Sequence, residues 1–471
     1  MMKEATVRLE SIEINNFKNI KYGVVDLKNT RKPYASSILG LYGQNGSGKT
    51  ALIDSLSLLK LLLSGKPVPV YFADFVNVGA DSARLKYTFK ICDNKEKYEY
   101  TADYEVCIRK ESDESVQNVD NPDMVEKKYK TVVFDEVVSY SYQDQKTKIK
   151  YLPVVDTRTE EVFVPKSKYK VLMGNNKEVK TNMLSYKQLT KATSRSFVFS
   201  GEFINSIRKN CKEAYHLNLF EQLIWYGNFE LFIINTANSG LITLNALPLS
   251  FKYEEKEKAS IGSLMIKLNE STLIPKEVLG TVINVINNMN IVLRQIIPGL
   301  TISVKDLGTE LLPNGNIASK IQLMSNKNSK EIPLQYESDG IKKIISILQL
   351  LIVIYNKSSI TVAVDELDSG VFEYLLGELL RIISEKGKGQ LIFTSHNLRP
   401  LETIDRGFIA FTTTNPENRF IRLSNVKTNN NLRDFYYRDI VLGEQSEAVY
   451  EPTNSYEIAL AFREAGELSG S

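Results

Sequence analysis

Read as apolar and polar positions, the chain opens on alternation. Val7, Leu9, Ile12 and Ile14 are followed by Asn15-Asn16-Phe17-Lys18-Asn19-Ile20 and a second apolar stretch to Leu27, which predicts two strands. Ser37-Ile38-Leu39-Gly40-Leu41-Tyr42 predicts a third strand running into a glycine-rich loop. Ala51 to Leu63 then carries apolar residues at helical spacing, and Ser64-Gly65-Lys66-Pro67 ends that helix. From Ala83 to Tyr169 the pattern is short alternating segments, such as Leu85 to Ile91 and Tyr98 to Ile108, with polar turns between them. Residues 185–298 change to helical texture, with Val278, Leu279, Val282, Ile286, Met289 and Ile296 near one face of a helix between Pro275 and Pro298. No heptad pattern is sustained there, which excludes a long coiled coil.

Alternation returns at Leu300 to Leu307 and Ile317 to Met324, and a helix is expected from Asp339 to Tyr355. Strand (Ile360 to Val364), helix (Val371 to Ser384), strand (Gln390 to Thr394) and further strands near Phe408 and Phe420 follow. That rhythm is α/β. The last residues are polar, apart from an apolar helical patch at Tyr456 to Phe462.

Composition narrows the function classes. With 43% hydrophobic and 24% charged residues, the 471-residue chain reads as a soluble globular protein. Fifty-nine Lys+Arg against 56 Asp+Glu leave a net charge of +3, too small to make non-specific nucleic-acid binding the default. Cys92, Cys107 and Cys211 have neither metal-ligand spacing nor the count of a disulfide framework, as expected in a reducing cytoplasm. His216 and His396 are the two histidines, which excludes His-rich zinc sites and nucleases of the His-Asn-His type. The start of the chain holds no continuous apolar run of a secretory signal. The apolar-rich run Ile344 to Tyr355 is broken by Ser346 and Gln349 and falls short of the roughly 20 residues a bilayer span needs, so no membrane is expected as a partner.

The chemistry enters at Gly43-Gln44-Asn45-Gly46-Ser47-Gly48-Lys49-Thr50, which fits G-x-x-x-x-G-K-[ST] between an apolar strand and a helix. Gly43, Asn45, Gly46, Ser47 and Gly48 would turn backbone N–H groups onto the phosphates of ATP. Lys49 would neutralise their oxygens, and the Thr50 hydroxyl would face Mg²⁺. Far downstream, Ile360-Thr361-Val362-Ala363-Val364-Asp365-Glu366 is an apolar strand ending in two acids. Asp365 is placed to hold Mg²⁺ through water and Glu366 to polarise the water that attacks the γ-phosphate.

Three neighbours complete the pattern: Glu337-Ser338-Asp339-Gly340-Ile341-Lys342-Lys343 opening a helix, Leu367-Asp368-Ser369-Gly370 after Glu366, and Phe393-Thr394-Ser395-His396-Asn397 ending a strand. In this order the sequence resembles the ABC-type ATPases of the Rad50/SMC/RecF/OLD group, whose N-terminal I-x-N-F-[KR] stretch is also similar to Ile14 to Lys18. The resemblance covers about 1–90 and 300–425 and implies an α/β, two-lobe ATPase head. A first lobe is expected over 1–90, a β-rich arm over 91–184, a compact helical insertion over 185–298, a second lobe over 299–430 and a tail over 431–471.

It further implies an active site completed by a second copy. Ser338 and Gly340 would reach the γ-phosphate held by a partner's loop, Asp368 would lie at the same interface, His396 would contact the γ-phosphate, and Lys18 would approach the nucleotide. Asp339 and Ile341 depart from the glycine and glutamine of transporter signatures, which argues against a transporter. The Q-loop glutamine has no assigned position, with Gln117, Gln143 and Gln188 as candidates.

Compact heads without a coiled coil resemble the OLD-related ATPases of bacterial defence, and the run Asp365 to Tyr374 is similar to that of the ATPase subunits of PARIS anti-phage systems. The partners this implies are a second copy of the chain, in an ATP-bridged dimer or a higher oligomer such as a hexamer, a separately encoded effector of the Toprim-nuclease type, and a phage-encoded trigger. The alternative is a RecF- or Rad50-like repair ATPase binding duplex DNA through Lys127-Lys128-Tyr129-Lys130, Lys146 to Lys150 and Lys166 to Lys170. Asp135, Glu136, Glu160 and Glu161 offset those lysines. His216, after Tyr215 in an amphipathic helix, reads as structural.

Overall fold

The computed structural model describes residues 5–29, 35–93, 95, 97–112, 129–235, 246–255, 258–311, 315, 317–328, 330–423, 431–443 and 445–468. Gln117, Lys127 and Lys128, named above, lie outside the described residues.

An antiparallel sheet of six strands runs in spatial order 20–26, 6–17, 83–93, 98–112, 129–143, 148–156. Its alternation is the one read from sequence: Leu85, Tyr87, Phe89 and Ile91 are fully buried, opposite the buried Tyr100, Ala102, Tyr104 and Val106 of the next strand. In the first strand the buried set changes phase, from Val7 and Leu9 to Ile12 and Ile14. A register shift between Leu9 and Ser11 is the cause, because one extra residue moves every later side chain to the other face. Helices 166–173, 177–192, 201–210 and 214–229 contribute Leu172, Met183, Phe203 and Phe220 to the same core.

The structure redraws two expected boundaries. Strands 98–112, 129–143 and 148–156 continue the N-terminal sheet instead of forming a separate arm, and the boundary expected at 184/185 falls inside helix 177–192. Alternation announces a strand but does not say which sheet it joins. Glu136 is likewise no surface counter-charge: it is 2% exposed, and its carboxylate accepts from the Tyr104 hydroxyl at 2.8 Å and the Phe197 amide at 2.7 Å.

The second six-stranded sheet has the order 420–421, 409–412, 37–42, 390–394, 361–364, 231–234, parallel except for the antiparallel first pair. Strand 231–234, Leu-Phe-Ile-Ile, lies within the stretch expected to be a helical insertion, yet it forms the edge of this sheet, buried throughout. Four apolar residues carry no period that separates strand from helix. Helices 339–356 and 373–386 bury Ile347, Leu350, Leu376 and Leu380 in the core of this sheet, joined by Leu432 and Phe435 of helix 432–442.

The two sheets are bolted together by Gln390, 2% exposed. Its amide donates to the Leu9 carbonyl at 2.8 Å and accepts from the Leu9 amide at 2.9 Å. A third sheet, with strands 272–275, 300–311, 317–327 and 330–333, packs on helix 279–296 through Val282, Ile286, Met289 and Leu293. Among the described residues no helix is long and apolar enough to cross a membrane.

Candidate active site

Parallel strands present their C-terminal ends on one edge, and three of them supply the chemistry: 37–42, 361–364 and 390–394. At Gly43 the backbone has φ 150°, and a Cβ built there would stand 1.8 Å from Thr412 Oγ1, so no larger residue fits. Thr412 fills that space usefully. Its hydroxyl donates to the Tyr42 carbonyl at 3.2 Å and shares a short hydrogen bond with Ser47 Oγ, fixing the loop to strand 409–412.

Lys49 opens helix 49–63 and is 8% exposed. Its Nζ donates to the carbonyls of Gly43 at 2.7 Å and Gln44 at 3.0 Å, the loop's own stand-ins for phosphate oxygens. Burial pushes its ammonium below the usual lysine range, while Asp365, Glu366 and Asp368 pull the other way. Thr50 Oγ1 stands 3.5 Å from Asp365 Oδ1. A hydroxyl and a carboxylate oxygen at this separation are the hard donors that suit Mg²⁺, which takes few protein ligands and completes its shell with phosphates and water. The residues therefore fit the ion expected from sequence.

The acids are set by strand register. Because Val364 pairs with Phe393, Thr394 stands beside Asp365, and its hydroxyl donates to Asp365 Oδ1 at 2.6 Å while accepting from the Glu366 amide at 2.7 Å. Asp365 is 2% exposed, whereas Glu366 is exposed and adopts φ 49°, a left-handed conformation uncommon outside glycine. Asp368 Oδ2 accepts from the amides of His396 at 3.1 Å and Asn397 at 2.9 Å, so the segment after Glu366 is tied to the strand end that carries His396.

These groups surround one cavity of about 330 Å³. Among the described residues it is lined by Lys18, Asn19, Asn45, Gly46, Gly48, Lys49, Thr50, Ala51, Asp365, Glu366, Thr394 and His396. Lys18 reaches it with its ammonium engaged by the buried Asp54 and 4.0 Å from the centre of the Phe75 ring. Asn235 also donates to Asp54, at 2.6 Å, and burial raises that carboxyl against the pull of Lys18.

Ser338 and Gly340 lie outside this lining. Ser338 caps helix 339–356, accepting from the Ile341 amide at 3.4 Å, and a Cβ on Gly340 would stand 2.3 Å from the Gly370 carbonyl oxygen. Gln143 and Gln188 are also outside it. His216 is buried with its Nδ1 against the Tyr140 hydroxyl, and burial pushes its imidazole down to about 4.

Sequence reasoning gave no role to Thr394, Asn19 or Asp54. Thr394 and Asn19 stand inside stretches already singled out, two residues before His396 and one after Lys18, and register is what brings Thr394 to the acids.

Over residues 8–399 the chain matches the family model described as AAA ATPase domain. None of the curated proteins is a match. Solved structures similar to it include the SMC head bound to the C-winged helix domain of ScpA, at 12% identity over 88% of this chain and 98% of that one, with a TM-score of 0.39. The SMC head domain from Thermotoga maritima is similar at 13% identity over 88% and 99%, with a TM-score of 0.34. The recombination mediator RecF with ATPrS is similar at 11% identity over 89% and 99%, with a TM-score of 0.37. Phosphate loop, acidic strand tip and family match converge: the chain belongs to the AAA ATPase domain family.

Proposed function

We propose that the protein binds ATP in the phosphate-loop cavity, hydrolyses it when the signature end of a second copy closes over that cavity, and passes its nucleotide state to a separately encoded effector. The observation that carries this reading is the division of the site. Lys49, Thr50, Asp365, Glu366 and His396 line one cavity, while Ser338 and Gly340 lie outside its lining. A helix start with exposed Ser338 is suited to a phosphate that another chain brings.

On ATP binding, Lys49 exchanges the Gly43 and Gln44 carbonyls for phosphate oxygens. Thr50 and Asp365 would hold Mg²⁺, which when bound would supply charge neutralisation at the phosphates. The Glu366 carboxylate takes a proton from water as the water oxygen attacks the γ-phosphorus. The bond to the bridging oxygen breaks, leaving ADP and phosphate. His396 and the partner's signature end meet the γ-phosphate, and its loss releases the two copies.

An anti-phage role of the PARIS kind is supported by the sequence resemblance and by the short elements that take the place of a coiled coil between the lobes. Glu366→Gln tests the enzymatic core: ATP binding stays, turnover falls on the order of 1,000-fold, and the associated form accumulates in gel filtration with ATP. Turnover near the unsubstituted rate rejects the assignment. ATP-dependent retention of duplex DNA that falls steeply with salt would put DNA in place of the effector.

A further inference from the structure

Lys343 is a buried cation for which ATP hydrolysis has so far supplied no task. It stands on helix 339–356, is 3% exposed, and its Nζ donates to the main-chain carbonyl of Glu366 at 3.1 Å. Burying an ammonium is costly unless it is paired, and its surroundings are the acids Asp365, Glu366 and Asp368.

The bond falls on the one residue of the acidic strand tip whose backbone is in the left-handed region, and that residue is held from both sides. Thr394 Oγ1 accepts from its amide at 2.7 Å, while Lys343 Nζ and the Ser369 amide, the latter at 3.1 Å, share its carbonyl. Gly340 and Lys343 are three residues apart and so on one helix face, the face that meets the segment from Glu366 to Gly370. At Gly340 the approach to the Gly370 carbonyl leaves no room for a side chain; one turn later Lys343 reaches the carbonyl of Glu366.

We propose that Lys343 is a positioning residue for hydrolysis: from the signature helix it holds the Glu366 backbone in the conformation that aims the carboxylate at the attacking water. The helix start that meets a partner's nucleotide is thereby linked to the base of its own chain. The inference rests on reading Glu366 as that base.

The test compares Lys343→Met and Lys343→Arg with the unsubstituted protein for ATP affinity, by titration of a fluorescent ATP analogue, and for steady-state turnover. The double variant with Glu366→Gln is measured alongside. Lys343→Met is expected to lose on the order of 10-fold to 100-fold in kcat, the scale of one charge-assisted hydrogen bond, with nucleotide affinity within about threefold. Lys343→Arg, which keeps the donor, recovers most of the rate. In the Glu366→Gln background Lys343→Met lowers the residual rate no further, because both changes disable one unit.

A Lys343→Met rate within about twofold of the original overturns the proposal. So does a loss of ATP binding in step with rate, which would mark a structural lysine, or full additivity with Glu366→Gln. If Glu366→Gln alone hydrolyses normally, the base assignment is what fails, and the two failures are told apart.

Discussion

The phosphate-loop cavity and the start of the signature helix are both made from a glycine, a hydroxyl and a helix N-terminus, yet the chain finishes one and leaves the other open. At the first, Lys49 and Asp365 are 8% and 2% exposed, and Lys49, Thr50, Asp365, Glu366 and His396 line one cavity of the same molecule. At the second, Ser338 and Asp339 are exposed, and Tyr336, Phe372 and Tyr374, which lie within four residues of Gly340 or Gly370 in the chain, are 71%, 71% and 56% exposed. Exposed aromatics close in the chain to a helix N-terminus suit a surface that meets another protein. On the proposed reading the contrast means that holding ATP is a property of one chain, whereas completing its hydrolysis belongs to two.

That contrast can be broken from either side. Lys49→Ala removes the cation of the finished half and is expected to weaken ATP binding on the order of 100-fold or more, read by titration of a fluorescent ATP analogue. Binding within tenfold of the original would show that the cavity is not the nucleotide site. Ser338→Arg obstructs the open half. It should leave that affinity within about threefold while turnover falls on the order of 100-fold, and Ser338→Ala, which adds no bulk, should cost less.

Phe372→Asp places a charge among the exposed aromatics and should raise the protein concentration for half-maximal specific activity about tenfold, measured by dilution series. Asp54→Asn reaches the smallest effect. It takes the counter-charge from Lys18 and should cost about 1–2 kcal/mol in urea unfolding, with the Asn235 contact partly kept.

What the sequence made legible divides along the same line. The phosphate loop and the Asp365-Glu366 tip are short segments whose internal spacing the chain itself fixes, so a local pattern suffices to find them. Thr394 acquires its part when parallel pairing sets it beside Asp365, and pairing is not written in either strand alone. Lys343 follows Lys342, and nothing local tells the two apart; the fold buries Lys343 against Glu366 while Lys342 pairs with the exposed Asp339 at 2.9 Å. The edge strand 231–234 was hidden for a related reason. Its place in the sheet comes from pairing with strand 361–364, some 130 residues away in the chain, and a run of four apolar residues cannot announce that neighbour.

The most direct measurement mixes two disabled proteins. Lys49→Ala lacks a working phosphate loop but keeps its signature end; Ser338→Arg lacks the signature end but keeps its loop. If the site is shared, a mixed pair rebuilds one complete site, and equal mixing should restore about one quarter of the original turnover, since half of all pairs are mixed and each holds one live site of two. Activity that stays at the sum of the two separate variants at every ratio would contradict a site completed by a second copy.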